Sequence, residues 1–276
     1  MLDIVSLGII SIFVGFLGAL TGLGGASILI PILVVFGVPV KEAIACGMVA
    51  IIATSSGSAA SFIHERITNV RVAMYLEMFT IVGAIVGATI TTLINATLLY
   101  FFFAAFLLTA FLKFRESLKG DFIPSATQDR MSGWLGLSGS YYDDHAGRVI
   151  DYRVTNAVWG GLGMLVAGLA AGMLGIGAGA FKVTVQENIL KMPPKVSSTT
   201  SNFIIGVTAL AGVSVYLFSG LLNLTLMGPM AVGTTIGAVI GGRVLNKLSG
   251  KALRILFFVI VAYLIIQMVY KGVLSI

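Results

Sequence analysis

The chain has 276 residues, 58% hydrophobic and only 10% charged, with a mean hydropathy of +1.04. A soluble domain carries about 25% charged residues, so the composition excludes a soluble enzyme or binding module and points to an integral membrane protein. Cys46 is the only cysteine, which excludes an intrachain disulfide and a cysteine-based metal cluster. The net charge of +6 matters less than where the charges fall.

The apolar stretches run near 20 residues, which predicts helices, because barrel strands would be about 10 residues long and alternate in polarity. The first covers residues 4–20; it has no basic flank and more spans follow, so it reads as a membrane helix and not as a cleaved signal. The segment Thr21-Gly22-Leu23-Gly24-Gly25-Ala26-Ser27 interrupts it, and a second apolar piece covers 26–38. That piece makes about 20 Å of helix, short of the ~30 Å hydrocarbon core. Pro39-Val40-Lys41-Glu42 is a polar turn, and spans are predicted over 43–63, 72–93 and 96–112. Residues 113–153 form the one hydrophilic segment, with basic and acidic residues in equal number. They are expected to be a linker with short structure around Trp134 to Tyr142. The pattern then restarts with a span over 154–174, the interruption Gly175-Ile176-Gly177-Ala178-Gly179 and a short piece over 178–190. The turn Lys191-Met192-Pro193-Pro194-Lys195 follows, then spans over 196–217, 224–245 and 252–269.

The halves 1–112 and 154–276 read as a duplication. The glycine breaks align at an offset of 153, and downstream pairs at 154: Pro39 with Pro193, Lys41 with Lys195, Thr54 with Thr208, Asn69 with Asn223, Gly83 with Gly237, Gly87 with Gly241. One gap between the glycine motif and the proline turn accounts for the change. If each break turns the chain back to the side it came from, the second half is inverted relative to the first. Lys41 and Lys271 then face one side. Arg66, Arg71, the basic residues of the linker, Lys191, Lys195, Arg243, Lys247, Lys251 and Arg254 face the other. The positive-inside rule favours that arrangement, with both termini outside and the linker in the cytoplasm. The expected fold is an all-α polytopic membrane protein of two inverted repeats, each a glycine-broken short helix pair plus three transmembrane helices. Such repeats typify secondary transporters, with substrate held near the bilayer midplane by broken helices.

Glycine at this density weakens a helix by roughly 1 kcal/mol per residue relative to alanine, so the breaks mark backbone that opens or is closely approached. The candidate substrate site is therefore Gly22, Gly24, Gly25, Ala26 and Ser27 at one helix tip, with Gly175, Gly177, Ala178 and Gly179 at the other. Opposed helix amino ends make an anion site; the plainer reading of the glycines is close helix packing. Lys182 is the sole cation deep within a predicted membrane segment, Arg243 and Arg254 lying two residues from the ends of theirs. It contacts an anionic substrate, pairs with Glu187 or is held by Gln186. Glu77 reads either as a proton carrier or as packed against a basic loop. Thr200, Ser201 and Asn202, with Thr54 and Cys46 (aligned with Thr200) in the first half, offer donors to an oxyanion, or bond their own backbone. No catalytic grouping and no metal-ligand set stand out, so neither enzyme activity nor a cofactor is expected. The expected partners are a small anionic substrate, the lipid bilayer, a coupling proton or other ion and a second copy of the chain, and not nucleic acid.

The paired glycine motifs, the Lys182-Val183 step, Lys195-Val196 and the run from Thr199 to Thr208 resemble the TauE/SafE permeases, the sulfite exporter family. Gly139-Ser140-Tyr141-Tyr142-Asp143 with Tyr152-Arg153-Val154 is similar to one prokaryotic branch. The resemblance implies outward movement of sulfite, sulfoacetate, thiosulfate or related organosulfur anions across the cytoplasmic membrane. The chain departs from the family pattern at Ala178, where glycine is usual, and at Thr184, where proline is usual.

Overall fold

The structure is a computed structural model that describes residues 4–21, 25–64, 67–116, 128–143, 148–244, 262 and 265–274. Helices α1 (Ile4–Thr21), α2 (Ala26–Val35), α3 (Val40–His64), α4 (Val70–Leu93) and α5 (Ala96–Glu116) make the first half. The linker contributes α6 (Arg130–Trp134) and an antiparallel hairpin of β1 (Gly139–Asp143) and β2 (Arg148–Tyr152). Helices α7 (Ala157–Leu174), α8 (Gly179–Thr184), a π-helical turn (Val185–Ile189), α9 (Pro194–Phe218) and α10 (Leu224–Val244) follow, with further helix over Ile265–Leu274.

Five of these helices are long and apolar enough to cross a membrane. Their outer faces carry Met74, Met78, Val82 and Ile85 on α4, and Val158, Leu162 and Val166 on α7, all exposed. Large side chains at helical spacing facing outward are what a lipid-embedded protein presents. The chain is therefore an all-α, multi-pass membrane protein. The linker holds more order than expected, because Asp129 caps α6 and the hairpin ties Gly139 to Tyr152. Most of the predicted span 252–269 lies outside the described residues.

Two interfaces bind the halves, and they correspond contact for contact. On α7, Gly168 lies against the backbone of Thr80 on α4; on α1, Gly15 lies against the backbone of Thr234 on α10. Likewise Gly83 meets Leu165 and Leu169, and Gly237 meets Ile12 and Phe16. Each pair matches its counterpart at the sequence offsets of 153 and 154. In both interfaces residue numbers rise together, so α4 runs alongside α7, and α10 alongside α1, in the same direction. Backbone at this separation leaves no room for a Cβ, which is why these positions are glycine. Between the interfaces α3 and α9 cross in opposite directions, with Met48 at Gly212 and Ser55 at Gly206. A third correspondence joins loops to helices. The Asn69 N–H donates to Thr200 Oγ1 at 3.2 Å, and Cys46 Sγ points to the Asn223 carbonyl at 4.0 Å.

Both short helices turn back. Thr155 N–H donates to the Leu190 carbonyl at 3.2 Å and Asn156 Nδ2 to Ile189 at 3.3 Å, so the chain returns to where α7 began. After α2, Val38 N–H donates to the Leu33 carbonyl at 3.0 Å and the chain re-enters as α3. The linker sits at the beginnings of α4 and α7: Asn69 Nδ2 donates to Leu137 O at 2.9 Å and Tyr152 Oη at 2.8 Å, and Asn156 N–H to Asp129 at 2.7 Å. We call this the linker face. Lys41 lies at the opposite, far face, donating to Thr92 O at the end of α4.

Candidate functional site

Three residues among four turn the chain after α7. Gly175 has φ +64°, Gly177 φ +68° and Ala178 φ +49°, all in the left-handed region. Glycine adopts that region freely, whereas the Ala178 methyl makes it cost roughly 1–2 kcal/mol. The departure at Ala178 noted in the sequence is thus a strained residue at the tip of a hairpin. Gly177 sits beside Ile51 of α3 and Ile205 of α9, near the middle of both helices. Ser201 Oγ lies 3.4 Å from the Gly179 carbonyl, and Ser55 Oγ donates to the Asn202 carbonyl at 2.5 Å. The structure therefore brings Gly175, Gly177, Ala178, Gly179, Ser201 and Asn202 together around the crossing of α3 and α9.

Below the tip lies a buried polar cluster. Lys182 is fully buried on α8, and its Nζ donates to Thr208 Oγ1 of α9 at 2.8 Å. Thr208 in turn donates to the Ile204 carbonyl at 2.7 Å, with Thr80 Oγ1 of α4 at 3.1 Å. Glu77 of α4 lies one turn before Thr80, and its Oε1 is buried without a hydrogen-bond partner. Gln186, also fully buried, has neither amide atom paired, and Ser197 Oγ on α9 is likewise unpaired. Unpaired polar atoms away from water cost about 1–3 kcal/mol each, so such a cluster is kept for something that visits it.

These findings correct one expectation. Lys182 is held by Thr208 and not by Gln186, whose amide atoms are both unpaired. Thr80, Thr208 and Ser197 were absent from the predicted site, and the repeat itself holds the signal that finds them. Thr80 and Thr208 match Thr234 and Thr54 in the other half, whereas Lys182 matches Leu29, Glu77 matches Ala231 and Ser197 matches Ala43. Leu29 and Ala43 are buried core residues. One half has closed with hydrocarbon the place where the other carries charge.

The π-helical turn explains the single gap between the repeats. A π turn takes one more residue than an α turn, and it falls between the glycine break and the proline turn, where the offset changes from 153 to 154. Gln186 lies within it.

The other predicted residues are elsewhere or committed. Gly22 and Gly24 lie outside the described residues. Gly25 precedes α2 and packs against Val14, while Ala26 and Ser27 are buried in the first turn of α2. Thr54 is bonded to the Ala50 carbonyl one turn back. Thr200 and Cys46 make the loop contacts with Asn69 and Asn223 described above.

A family model described as "Sulfite exporter TauE/SafE" matches residues 7–268. "Probable membrane transporter protein YunE" of Bacillus subtilis (strain 168) is 24% identical over 282 residues, covering 99% of this chain and 100% of its own. "Probable membrane transporter protein YdhB" of the same organism is 26% identical over 259 residues, covering 94% of this chain and 95% of its own. No solved structure matches. The chain belongs to the TauE/SafE sulfite exporter family and is a membrane transporter, not an enzyme.

Proposed function

We propose that this transporter moves small sulfur-containing oxyanions, such as sulfite, sulfoacetate, thiosulfate or a related organosulfonate, out of the cell by alternating access. The observation that carries the reading is Lys182. A lysine wholly removed from water on a membrane helix is retained for binding or ion movement, since burying it otherwise costs several kcal/mol. One turn on from it, Gln186 Nε2 is a donor suited to an oxyanion with no partner inside the protein. The choice of sulfur anions rests on the family description; the relatives' names speak only of transport.

We further read the two halves as inverted. The return of the chain at each short helix, the opposite course of α3 and α9, and the like course of α1 with α10 and α4 with α7 all support this arrangement. The concentration of Lys and Arg beside the linker supports a cytoplasmic linker and outward termini. Rocking one half against the other around the glycine tips would open the cluster to each face in turn.

The test is counterflow of labelled sulfite in liposomes containing the purified protein, with sulfoacetate, thiosulfate, sulfate and acetate as competitors. Saturable exchange blocked by the sulfur anions supports the reading. Exchange blocked by acetate but not by them would make the substrate a carboxylate. Flux without exchange acceleration would make the protein a channel. Lys182→Ala should weaken anion binding in protein that remains folded, and unchanged affinity would remove the lysine from the site.

A further inference from the structure

The transport reading leaves Glu77 without a role, and a coupling role for this carboxylate rests on that reading. Glu77 stands one turn before Thr80 on α4, whose hydroxyl joins Lys182 through Thr208, and Glu77 Oε1 is buried with no hydrogen-bond partner. The other titratable groups around it are occupied or distant. Helix α7 carries no titratable side chain. Tyr75, toward the linker face, donates to the Ala157 carbonyl at 3.1 Å. On α9, Lys195 stands in the first turn at the linker face, and Tyr216 near the far end donates to the Gly172 carbonyl at 2.7 Å. Glu187 is half-buried on the π turn beyond Gln186. Among the described residues, Lys182 is the charge that Glu77 answers to.

We propose that Glu77 is the proton-coupling site of the carrier, standing in for the substrate anion whenever the site is empty. In that state its carboxylate balances Lys182. An anion arriving at the lysine would place two negative charges on one ammonium in surroundings of low dielectric, where like charges repel far more strongly than in water. Glu77 then takes a proton from water of the open face, forming an O–H bond, and the ammonium passes to the substrate. When the site has opened to the other face the anion leaves, the O–H bond breaks, the proton goes to water there and the carboxylate rejoins Lys182. No electron changes hands. One proton crosses with each anion, so a monoanion moves without net charge and a dianion carries one negative charge. For a monoanion, outward flow then requires the anion ratio to exceed the opposing proton ratio, about tenfold for each pH unit. For such cargo the carrier releases only a surplus.

The other half gives the independent observation. Its counterparts of Lys182 and Glu77 are Leu29 and Ala231, so cation and carboxylate are present together in one half and absent together from the other. A lysine serving only as an anchor for substrate would need no carboxylate within the same cluster.

Thiosulfate is the probe, because it does not itself titrate near neutral pH. Purified protein in weakly buffered detergent is mixed with thiosulfate; a dye reads proton uptake and calorimetry reads binding. The expected result is about one proton taken up per thiosulfate bound, with affinity falling about tenfold per unit rise in pH above neutrality. Glu77→Gln should abolish the uptake and flatten the pH dependence, while Glu187→Gln should leave both in place. The wild-type proton count needs no variant, so a poorly folding Glu77→Gln does not spoil the test. Binding without proton uptake overturns the inference and leaves the transport reading standing. Loss of uptake in Glu187→Gln and not in Glu77→Gln overturns the assignment. Absence of binding and of counterflow for every sulfur anion overturns the transport reading beneath it.

Discussion

Lys182→Met separates a structural charge pair from two charges that merely lie in the same helix bundle. Methionine keeps the length and apolar stem of lysine, so repacking costs under about 1.5 kcal/mol. What is lost is the charged hydrogen bond to Thr208 at 2.8 Å and the counter-charge of Glu77, whose Oε1 has no hydrogen-bond partner. Removing one member of a buried pair costs about 3–5 kcal/mol. Glu77 is half-buried and not fully so, which puts the expected loss near the bottom of that range, about 3 kcal/mol. Adding Glu77→Gln removes the stranded charge and should restore about 2 kcal/mol of it, as replacing both members of a buried pair with neutral residues is often close to neutral. At about 2–4 °C per kcal/mol, the single variant should unfold roughly 6–12 °C below wild type. The double variant should recover at least half of the drop. The assay is thermal unfolding of the four proteins of the cycle in detergent, followed by tryptophan fluorescence. If the two substitutions add to within about 0.5 kcal/mol, the charges are not coupled and the reasoning about the cluster fails.

Other consequences can be measured in the same way. Ala178→Gly should relieve the left-handed strain at φ +49° and raise stability by up to about 1 kcal/mol, while Ala178→Val should lower it; equal melting for both would refute the strained tip. Gly168→Ala and Gly15→Ala each drive a methyl into facing backbone, at Thr80 and Thr234 respectively. Each should cost about 1–3 kcal/mol, by similar amounts if the two interfaces are equivalent. Asn69→Ala removes the cap of α4 and both side-chain bonds to the linker. It should cost about 1 kcal/mol and speed proteolysis within the linker. Burial works to raise the pKa of Asp129, but bonds from the Ser132 hydroxyl and from the Ser132 and Asn156 amides outweigh it and hold the carboxyl below its usual value. A depressed carboxyl stabilises above its unfolded pKa and loses that contribution as pH falls through the folded one. Hydrogen exchange of α6 should therefore quicken below about pH 4, and less so in Asp129→Asn.

The spans and the hairpins were legible because they rest on length and composition, which a membrane makes nearly decisive. Helix ends were less so. Span 154–174 begins instead at Ala157, because Asn156 takes φ +56° and its amide turns to Asp129 in the linker. The β-hairpin of the linker was missed because Ser140, Tyr141 and Tyr142 face a partner strand of mixed polarity, which leaves no clear alternation. The glycine turn after α7 was found by residue type alone. The link from Lys182 through Thr208 to Thr80 was not found, since it depends on how α4, α8 and α9 are rotated about their axes. On α4 that rotation is fixed by the contacts of Gly83 and Thr80 with α7, which no local pattern reveals. The single-residue gap between the repeats was visible as an offset, but its meaning as a π turn required the backbone.

The correspondence of the two interfaces bears on why so little of the chain carries chemistry. Two equivalent interfaces of close-packed glycine give a scaffold whose halves can shift against each other at similar cost in either sense. On the proposed reading, one polar cluster is enough to bind cargo in both arrangements. A second cluster at Leu29 and Ala231 would bury another lysine and carboxylate without adding a path, at a desolvation cost of several kcal/mol. Hydrocarbon there keeps that hairpin seated, and Leu29, Ile30 and Leu33 are all fully buried. The hairpin bearing Lys182 is looser by construction. Its α-helix lasts only from Gly179 to Thr184 before the π turn, it starts from the strained Ala178, and it lacks the proline that Pro31 supplies to α2. Among the described residues, strain and unpaired polar atoms are thus concentrated in one of two matched elements, and that element is where movement should begin.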